Sequence, residues 1–126
     1  MPRTKLFLLS LTLCVAALLV AGVALAAGTS PATGLKKVEA KKVCMVNDQA
    51  SDKDMIPVQV GDKTYYGCCA MCKERLTKDA ASRSAVDPVT GKAVDKATAI
   101  IAAQPDGKVL YFESEKTLTQ YRQKKK

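Results

Sequence analysis

Four cysteines carry most of the chemistry available to this chain: Cys44, Cys68, Cys69 and Cys72. The sequence contains no histidine, so an imidazole can serve neither as a general base nor as a metal ligand. This excludes most zinc hydrolases and the Ser/His and Cys/His nucleophilic enzymes. Cys68 and Cys72 are one helical turn apart, which brings their Cβ atoms within about 5 to 6 Å and lets both sulfurs meet at one point. Cys44 must then reach that point from a preceding loop.

Three or four thiolates without an imidazole form a soft metal site. Such a site suits Cu(I), Zn(II), Cd(II) or Hg(II) and disfavours Mg(II) and Ca(II). A thiol at Cys68 or Cys69 would also lie at a helix N-terminus, where the backbone N–H groups lower its pKa and favour the metal-binding thiolate. Met45 and Met71 are adjacent to cysteines and can add a thioether, although core filling is the more common role of methionine.

Two other uses of these cysteines remain open. The four can form two disulfides, and the sequence does not choose among the three possible pairings. Cys69 and Cys72 also form a CxxC motif at a helix start, which is the arrangement of a thiol oxidoreductase. The chain nevertheless lacks the βαβ pattern of a thioredoxin-like domain, and its acidic residues show no pairing typical of acid–base catalysis. We therefore expect no enzymatic activity.

A β-hairpin followed by a helix is predicted to position the cysteines, and this unit occurs twice. The first copy has an extended segment at 55–60, a Gly-Asp turn, a short aromatic strand at 64–66 and a helix from Cys68. Tyr65 and Tyr66 on that strand are predicted to wall the site. The second copy has an extended segment at 97–103, a Pro-Asp-Gly turn, a strand at 108–112 and a helix.

An offset of 45 residues relates the two copies. It superposes Lys63 on Lys108 and Tyr66 on Tyr111. In the second helix Ser114 is the predicted N-cap, with Leu118 and Tyr121 facing inward. The positions of Cys68, Cys69 and Cys72 hold Glu113, Ser114 and Thr117 in the second copy. A duplication that kept sulfur in only one half is the simplest interpretation, and two unrelated hairpins are the alternative.

Cys44, 23 intervening residues and Cys68-x-x-x-Cys72 resemble the TRASH metal-binding domain, a small treble-clef-like relative of zinc fingers. The second copy, with its DPVTGK and VLYFESEKTLTQY segments, is similar to the related YHS domain. In that family cysteine is usual where this chain has Thr90, Glu113 or Ser114, and Thr117. The resemblance implies a soft-metal site in the first copy only, with Cys44, Cys68 and Cys72 as ligands and Cys69 as an additional sulfur.

The N-terminus has the layout of a secretory signal. Arg3 and Lys5 precede a long apolar run, and Ala24 and Ala26 form an Ala-x-Ala cleavage site. A retained membrane anchor is the alternative, because 22 mostly apolar residues can cross a bilayer. Both readings place the rest of the chain outside the cytoplasm, in the periplasm or secreted. Nucleic acid is an improbable partner there despite the net charge of +8, and a membrane is a partner only if the segment is uncleaved.

These features predict an α+β chain of two small treble-clef-like units packed together, each a β-hairpin plus a helix, behind an N-terminal signal helix. The predicted segments are a signal peptide (1–26), a basic polar linker (27–42), a TRASH-like unit (43–82), a degenerate YHS-like unit (83–123) and a basic tail (124–126). The expected function is binding of Zn(II) or Cu(I) in metal trafficking, sequestration or sensing. An envelope metal transporter or efflux protein is the expected partner.

Overall fold

A computed structural model describes residues 34–125 of the chain. The predicted signal peptide, the first part of the predicted linker and Lys126 lie outside the described residues. The prediction of an α+β protein is confirmed, because residues 34–125 form two helices and several small antiparallel sheets. None of the helices in this range has the length and apolar character needed to cross a membrane.

The elements of the first half lead from an edge strand to a helix. They are β1 (Lys36–Lys37), β2 (Val43–Cys44), β3 (Gln49–Ala50), β4 (Ile56–Val60), β5 (Lys63–Gly67) and α1 (Ala70–Lys78). The second half contains β6 (Ser84–Val86), β7 (Ala93–Asp95), β8 (Ile100–Ala103), β9 (Val109–Phe112) and α2 (Glu115–Lys124). The strand pairs are β2–β3, β4–β5, β6–β7 and β8–β9, and β1 adds to the edge of β8.

Both halves repeat the order of a knuckle, a hairpin and a helix. We use "knuckle" for the two-strand ribbons β2–β3 and β6–β7 with their tight loops. Their registers correspond, because Val43 pairs with Ala50 and Val86 pairs with Ala93, which is an offset of 43 residues. The same offset relates their left-handed residues, Asp48 with φ of 53° and Gly91 with φ of 71°.

The offset rises to 45 residues at the helices, whose N-caps are Cys69 and Ser114. Part of this difference lies in the hairpin turns. The first turn closes directly between Val60 and Lys63, whereas the second has one more residue and closes with the Gln104 N–H donating to the Lys108 carbonyl at 2.7 Å. The predicted relation of 45 residues therefore describes the second strand and the helix of each half, but not the knuckle.

One hydrophobic core is shared by both halves. The first half contributes Val43, Met45, Val58, Tyr65 and Leu76, and the second half contributes Ile101, Ala103, Val109 and Tyr111. These side chains interleave because each helix and hairpin has only one apolar face, and neither half is large enough to bury its own. The position of the first half is therefore fixed by the second.

Part of the segment predicted to be a linker is paired in the fold. Lys36 and Lys37 form β1 on the edge of β8, with their side chains exposed. Leu35 is buried with Ala102, Phe112 and Leu118 in a second apolar cluster. A single leucine before a lysine-rich stretch is thus enough to dock this segment, because it fills a site that α2 and β8 leave between them.

The first helix begins two residues later than predicted. Cys69 is extended, with φ of −155° and ψ of 174°, so α1 starts at Ala70 and Cys68 lies before the helix. In α2 the prediction of Ser114 as N-cap is confirmed, since its side chain accepts a hydrogen bond from the Thr117 N–H. Leu118 is buried, and Tyr121 is partly buried with its ring packed edge-on against Phe112 at 5.5 Å.

A buried lysine joins the two halves. Lys96 follows β7 and is 5% exposed. Its Nζ donates to the Met45 carbonyl at 2.6 Å and to Asp48 Oδ1 at 2.7 Å, both in the first knuckle. The Tyr111 hydroxyl also donates to Asp48 Oδ1, at 2.9 Å. A buried ammonium needs such partners, because an unpaired charge in the interior is very costly.

We predict that Lys96→Met lowers the free energy of unfolding by about 2 kcal/mol, because it removes the side-chain donor of the Met45 carbonyl and one of the two donors of the Asp48 carboxylate. Methionine retains the apolar stem, so the loss reports the ammonium. Urea unfolding followed by circular dichroism measures it. Lys116→Met, at an exposed position of α2, is the control and should change stability by less than about 0.5 kcal/mol. Equal effects of the two substitutions would contradict this role of Lys96.

Candidate metal centre

Three cysteine sulfurs converge between the first knuckle and the start of α1. The Sγ atoms of Cys44, Cys68 and Cys72 all lie within 4.8 Å of one another. Cys72 Sγ is 3.8 Å from Cys44 Sγ and 3.6 Å from Cys68 Sγ. We call these three residues the sulfur cluster. The predicted meeting of Cys44 with Cys68 and Cys72 is therefore present, although Cys68 lies before the helix and not in it, and the cluster can hold a metal ion.

Each sulfur is positioned by a different element. Cys44 ends β2 and is buried, Cys68 follows β5 and is exposed, and Cys72 lies in the first turn of α1 and is buried. Gly67 makes their approach possible, because a Cβ atom at this position would lie 2.9 Å from the Cβ of Cys72. The end of β5 and the start of α1 can approach this closely only where residue 67 has no side chain.

Backbone N–H groups surround the Cys44 sulfur. Burial opposes ionisation of this thiol, but hydrogen bonds from the backbone of Asn47, Cys68 and Val46, together with the Cys68 side chain, outweigh it and lower its pKa. The knuckle thus stabilises the Cys44 thiolate by donating N–H groups to it, as expected for a site that holds a negatively charged sulfur.

The remaining thiols differ in their readiness to ionise. Burial and hydrogen bonds with the neighbouring thiols raise the pKa of Cys72 to about 12. The hydrogen bond with Cys44 raises the pKa of Cys68. Three sulfurs this close cannot all be charged without a cation between them, because like charges disfavour each other's ionisation. A thiophilic cation would remove this penalty and would release protons as it binds.

Cys69 lies beside the sulfur cluster without belonging to it. Its Sγ is 3.5 Å from Cys72 Sγ, and its side chain is exposed. Hydrogen bonding to the backbone N–H of Cys72 lowers its pKa. All four cysteines of residues 34–125 are free thiols in the structure.

Other residues predicted near the site have different surroundings. Met45 is fully buried in the shared core, whereas Met71 is 79% exposed. Tyr65, predicted to wall the site, is buried in the shared core, and its hydroxyl donates to Asp95 at 2.9 Å. Tyr66 contributes its carbonyl, which accepts the Met45 N–H at 2.9 Å.

The second half has a carboxylate where the first has Cys44. Asp87 is fully buried, and the knuckle offset of 43 residues makes it the counterpart of Cys44. Its carboxylate accepts N–H groups from Val89 at 2.7 Å, Thr90 at 3.3 Å and Glu113 at 2.8 Å. These donors occupy the positions of Val46, Asn47 and Cys68, whose N–H groups surround the Cys44 sulfur. The backbone donors around the Asp87 carboxylate in the second half therefore correspond to those around the Cys44 sulfur in the first half.

The resemblance to the YHS domain predicts the family cysteine at Thr90, whereas the structure makes Asp87 the counterpart of Cys44. A signal was present nevertheless. Val43-Cys44-Met-Val46 and Val86-Asp87-Pro-Val89 share the same spacing of valines around the anionic residue. The offset of 45 residues, taken from the helices, concealed this alignment.

No protein-family model, no curated protein and no solved structure matches this chain. The resemblance to TRASH and YHS domains therefore stays a prediction.

Gly67→Ala is expected to force apart the end of β5 and the start of α1, because its methyl group would meet the Cβ of Cys72. We predict a loss of about 1 to 3 kcal/mol in the free energy of unfolding. The exposed neighbour Ala70, replaced by Ser, is the control and should have little effect. Urea denaturation of the metal-free protein measures both variants, and unchanged stability of Gly67→Ala would show that the close approach is not required.

Asp87 should make stability depend on acid. Burial opposes its ionisation, but hydrogen bonds from the Glu113 and Val89 N–H groups and the Thr117 side chain prevail and lower its pKa. Since the unfolded value is about 3.9, the stabilisation is fully present at neutral pH and is lost as the pH falls from about 4 toward the lower folded pKa. Asp87→Asn should reduce stability by about 2 kcal/mol at pH 7 and flatten the acid limb of the stability profile. An unchanged acid limb would contradict this assignment.

Proposed function

We propose that this protein binds one soft metal ion as cargo, through the thiolates of Cys44, Cys68 and Cys72. The observation that carries the proposal is the convergence of these three sulfurs from separate elements within 4.8 Å. Metal–sulfur bonds of about 2.3 Å place the sulfurs of one coordination sphere about 3.8 to 4.0 Å apart. The separations of 3.6 and 3.8 Å from Cys72 are close to these values, so small shifts suffice for binding.

The chemistry of the donor set supports a thiophilic ion. All three donors are sulfur, and no acidic side chain belongs to the group that can hold an ion. Soft thiolates select Cu(I), Zn(II) and related ions over Mg(II) and Ca(II). The hydrogen bonds that lower the pKa of Cys44 also prepare one ligand in its charged form. Zn(II) and Cu(I) are the ions that we propose.

The shared core supports a carrier or a buffer over a protein that needs metal in order to fold. In small zinc fingers the metal supplies the folding free energy, and the apo form is unfolded. Here the knuckle and helix that carry the cysteines pack into a core built by both halves. We therefore expect the core to hold the site together without the ion, so that metal can be taken up and released without unfolding.

The order of knuckle, hairpin and helix, with sulfurs from the knuckle and the helix N-terminus, supports the treble-clef-like description and the relation to TRASH and YHS domains. On that basis we propose export to the periplasm or the exterior, a role in metal trafficking, sequestration or sensing, and an envelope metal transporter or efflux protein as partner. We propose no enzymatic activity and no nucleic-acid partner.

Metal analysis of the reductively purified protein tests this function, with Cys14 of the predicted signal peptide replaced by serine so that it cannot bind metal. We predict one Zn(II) or Cu(I) ion per chain, because residues 34–125 contain one group of three sulfurs. Cys44→Ser and Cys72→Ser should each weaken binding about 100-fold, since each removes one of three thiolates in a site whose supporting contacts alone are worth 10- to 100-fold. Met71→Leu, at an exposed thioether, is the matched control and should keep full stoichiometry. Undiminished binding by both serine variants would refute the proposal.

A second candidate is thiol–disulfide exchange by Cys69 and Cys72. It is favoured by their separation of 3.5 Å and by the lowered pKa of the exposed Cys69 beside the raised pKa of the buried Cys72. This pair gives Cys44 no role, whereas metal binding uses it. Reduction of insulin disulfides in the presence of dithiothreitol would support the exchange activity, and a rate equal to that of dithiothreitol alone would exclude it.

A further inference from the structure

Cys69 is adjacent to the sulfur cluster but is not one of its three members. It is exposed, and its Sγ is 3.5 Å from that of Cys72. Cys72 is the central member of the cluster, with Sγ contacts to both Cys44 and Cys68. An ion held by the three cluster sulfurs would therefore have a fourth sulfur beside one of its ligands.

Cys69 is a poor helix cap. It is the N-cap of α1, and the Cys72 N–H near its sulfur lowers its pKa, but the side chain does not reach the geometry of a capping hydrogen bond. Its counterpart Ser114 caps α2 by accepting the Thr117 N–H at 3.3 Å. Serine is among the preferred N-cap residues, because its oxygen can satisfy a free N–H at the helix start. The first half has a residue that helix formation does not favour, and such departures are expected at functional sites.

Solvent reaches the site from one side. Cys44 and Cys72 are buried, whereas Cys68 and Cys69 are exposed. The buried pair therefore forms the floor of the site, and the two neighbouring exposed cysteines form its rim. An incoming ligand therefore meets Cys68 or Cys69 first, because Cys44 and Cys72 are buried.

Building on the proposed function, we propose that Cys69 is an exchange ligand, through which the soft ion passes between the cluster and an acceptor that presents thiolates. As the Cys69 sulfur bonds to the ion, its thiol gives up a proton to water. The bond from the ion to Cys68 breaks, and the released Cys68 thiolate takes up a proton. The oxidation state of the ion does not change.

The chemistry of the acceptor follows from that of the donors. An ion that leaves three thiolates moves only to a site of similar softness, so the acceptor must itself offer cysteine sulfurs. A thiolate of the acceptor adds to the ion at the rim while Cys69 holds it. The bonds to Cys44 and Cys72 then break, the bond to Cys69 breaks last, and each released thiolate takes up a proton. During transfer the ion is bound by this protein and by the acceptor at the same time, so it is never free in solution.

Cys69→Ser is a well-matched test, because serine is the residue that caps the equivalent helix. The variant and the wild type, both in the Cys14→Ser background, are loaded with Cu(I) and mixed with a CxxC peptide in a stopped-flow instrument. We expect the Cu(I) affinity to change less than about threefold and the transfer rate to fall at least tenfold. A higher urea midpoint of the metal-free variant is also expected, since the new serine caps α1.

An unchanged transfer rate in Cys69→Ser would overturn the proposal. So would a large loss of affinity, because Cys69 would then be a permanent ligand and not an exchange ligand. Met71→Leu, which alters a neighbouring exposed sulfur, should transfer at the wild-type rate, and slowing equal to that of Cys69→Ser would also count against it. Cys44→Ser and Cys72→Ser distinguish the two proposals, because full binding by those variants would refute the metal site itself.

Discussion

The backbone of Met45 is held from both halves of the molecule, and the position of the sulfur cluster depends on it. Its N–H donates to the Tyr66 carbonyl at 2.9 Å, within the first half. Its carbonyl accepts the buried Lys96 ammonium at 2.6 Å, from the second half. Cys44 directly precedes this residue, so the two contacts fix the loop sulfur against the helix that carries Cys72. Without these contacts the knuckle that carries Cys44 would be held less firmly against β5 and α1, which position Cys68 and Cys72.

The two halves show two solutions to the same problem. In each knuckle several backbone N–H groups face the same side chain, and they favour a negative charge on it. In the second half the Asp87 carboxylate supplies that charge permanently and is satisfied by hydrogen bonds alone. In the first half Cys44 is the residue at that position. Its neighbours Cys68 and Cys72 can ionise together with it only when a cation is bound between the three sulfurs. The second half can thus act as a metal-independent scaffold for the first.

The sequence predicts local structure well here because local signals are strong. Turn residues define the hairpins, and Ser114 caps its helix. The proximity of Cys68 and Cys72 is also predicted, but its cause is different: Cys68 lies before the helix, and the close approach at Gly67 brings the two residues together. The burial of Lys96 could not be predicted, because a lysine ammonium is buried only where acceptors from distant parts of the chain pair with it. In this protein those acceptors are the Met45 carbonyl and the Asp48 carboxylate. The docking of Leu35 likewise depends on a cluster formed some seventy residues later. The place of Cys69 also could not be predicted, because it depends on the backbone at the start of α1. The extended conformation of Cys69 leaves its side chain exposed beside the cluster.

The most direct test of the account is the sulfur coordination of the bound ion. X-ray absorption spectroscopy of the Cu(I)-loaded protein reads the number and type of atoms around the metal. The account predicts about three sulfur atoms near 2.3 Å, with a lower sulfur count in Cys44→Ser. A spectrum dominated by oxygen or nitrogen, or one unaffected by the loss of Cys44, would contradict it.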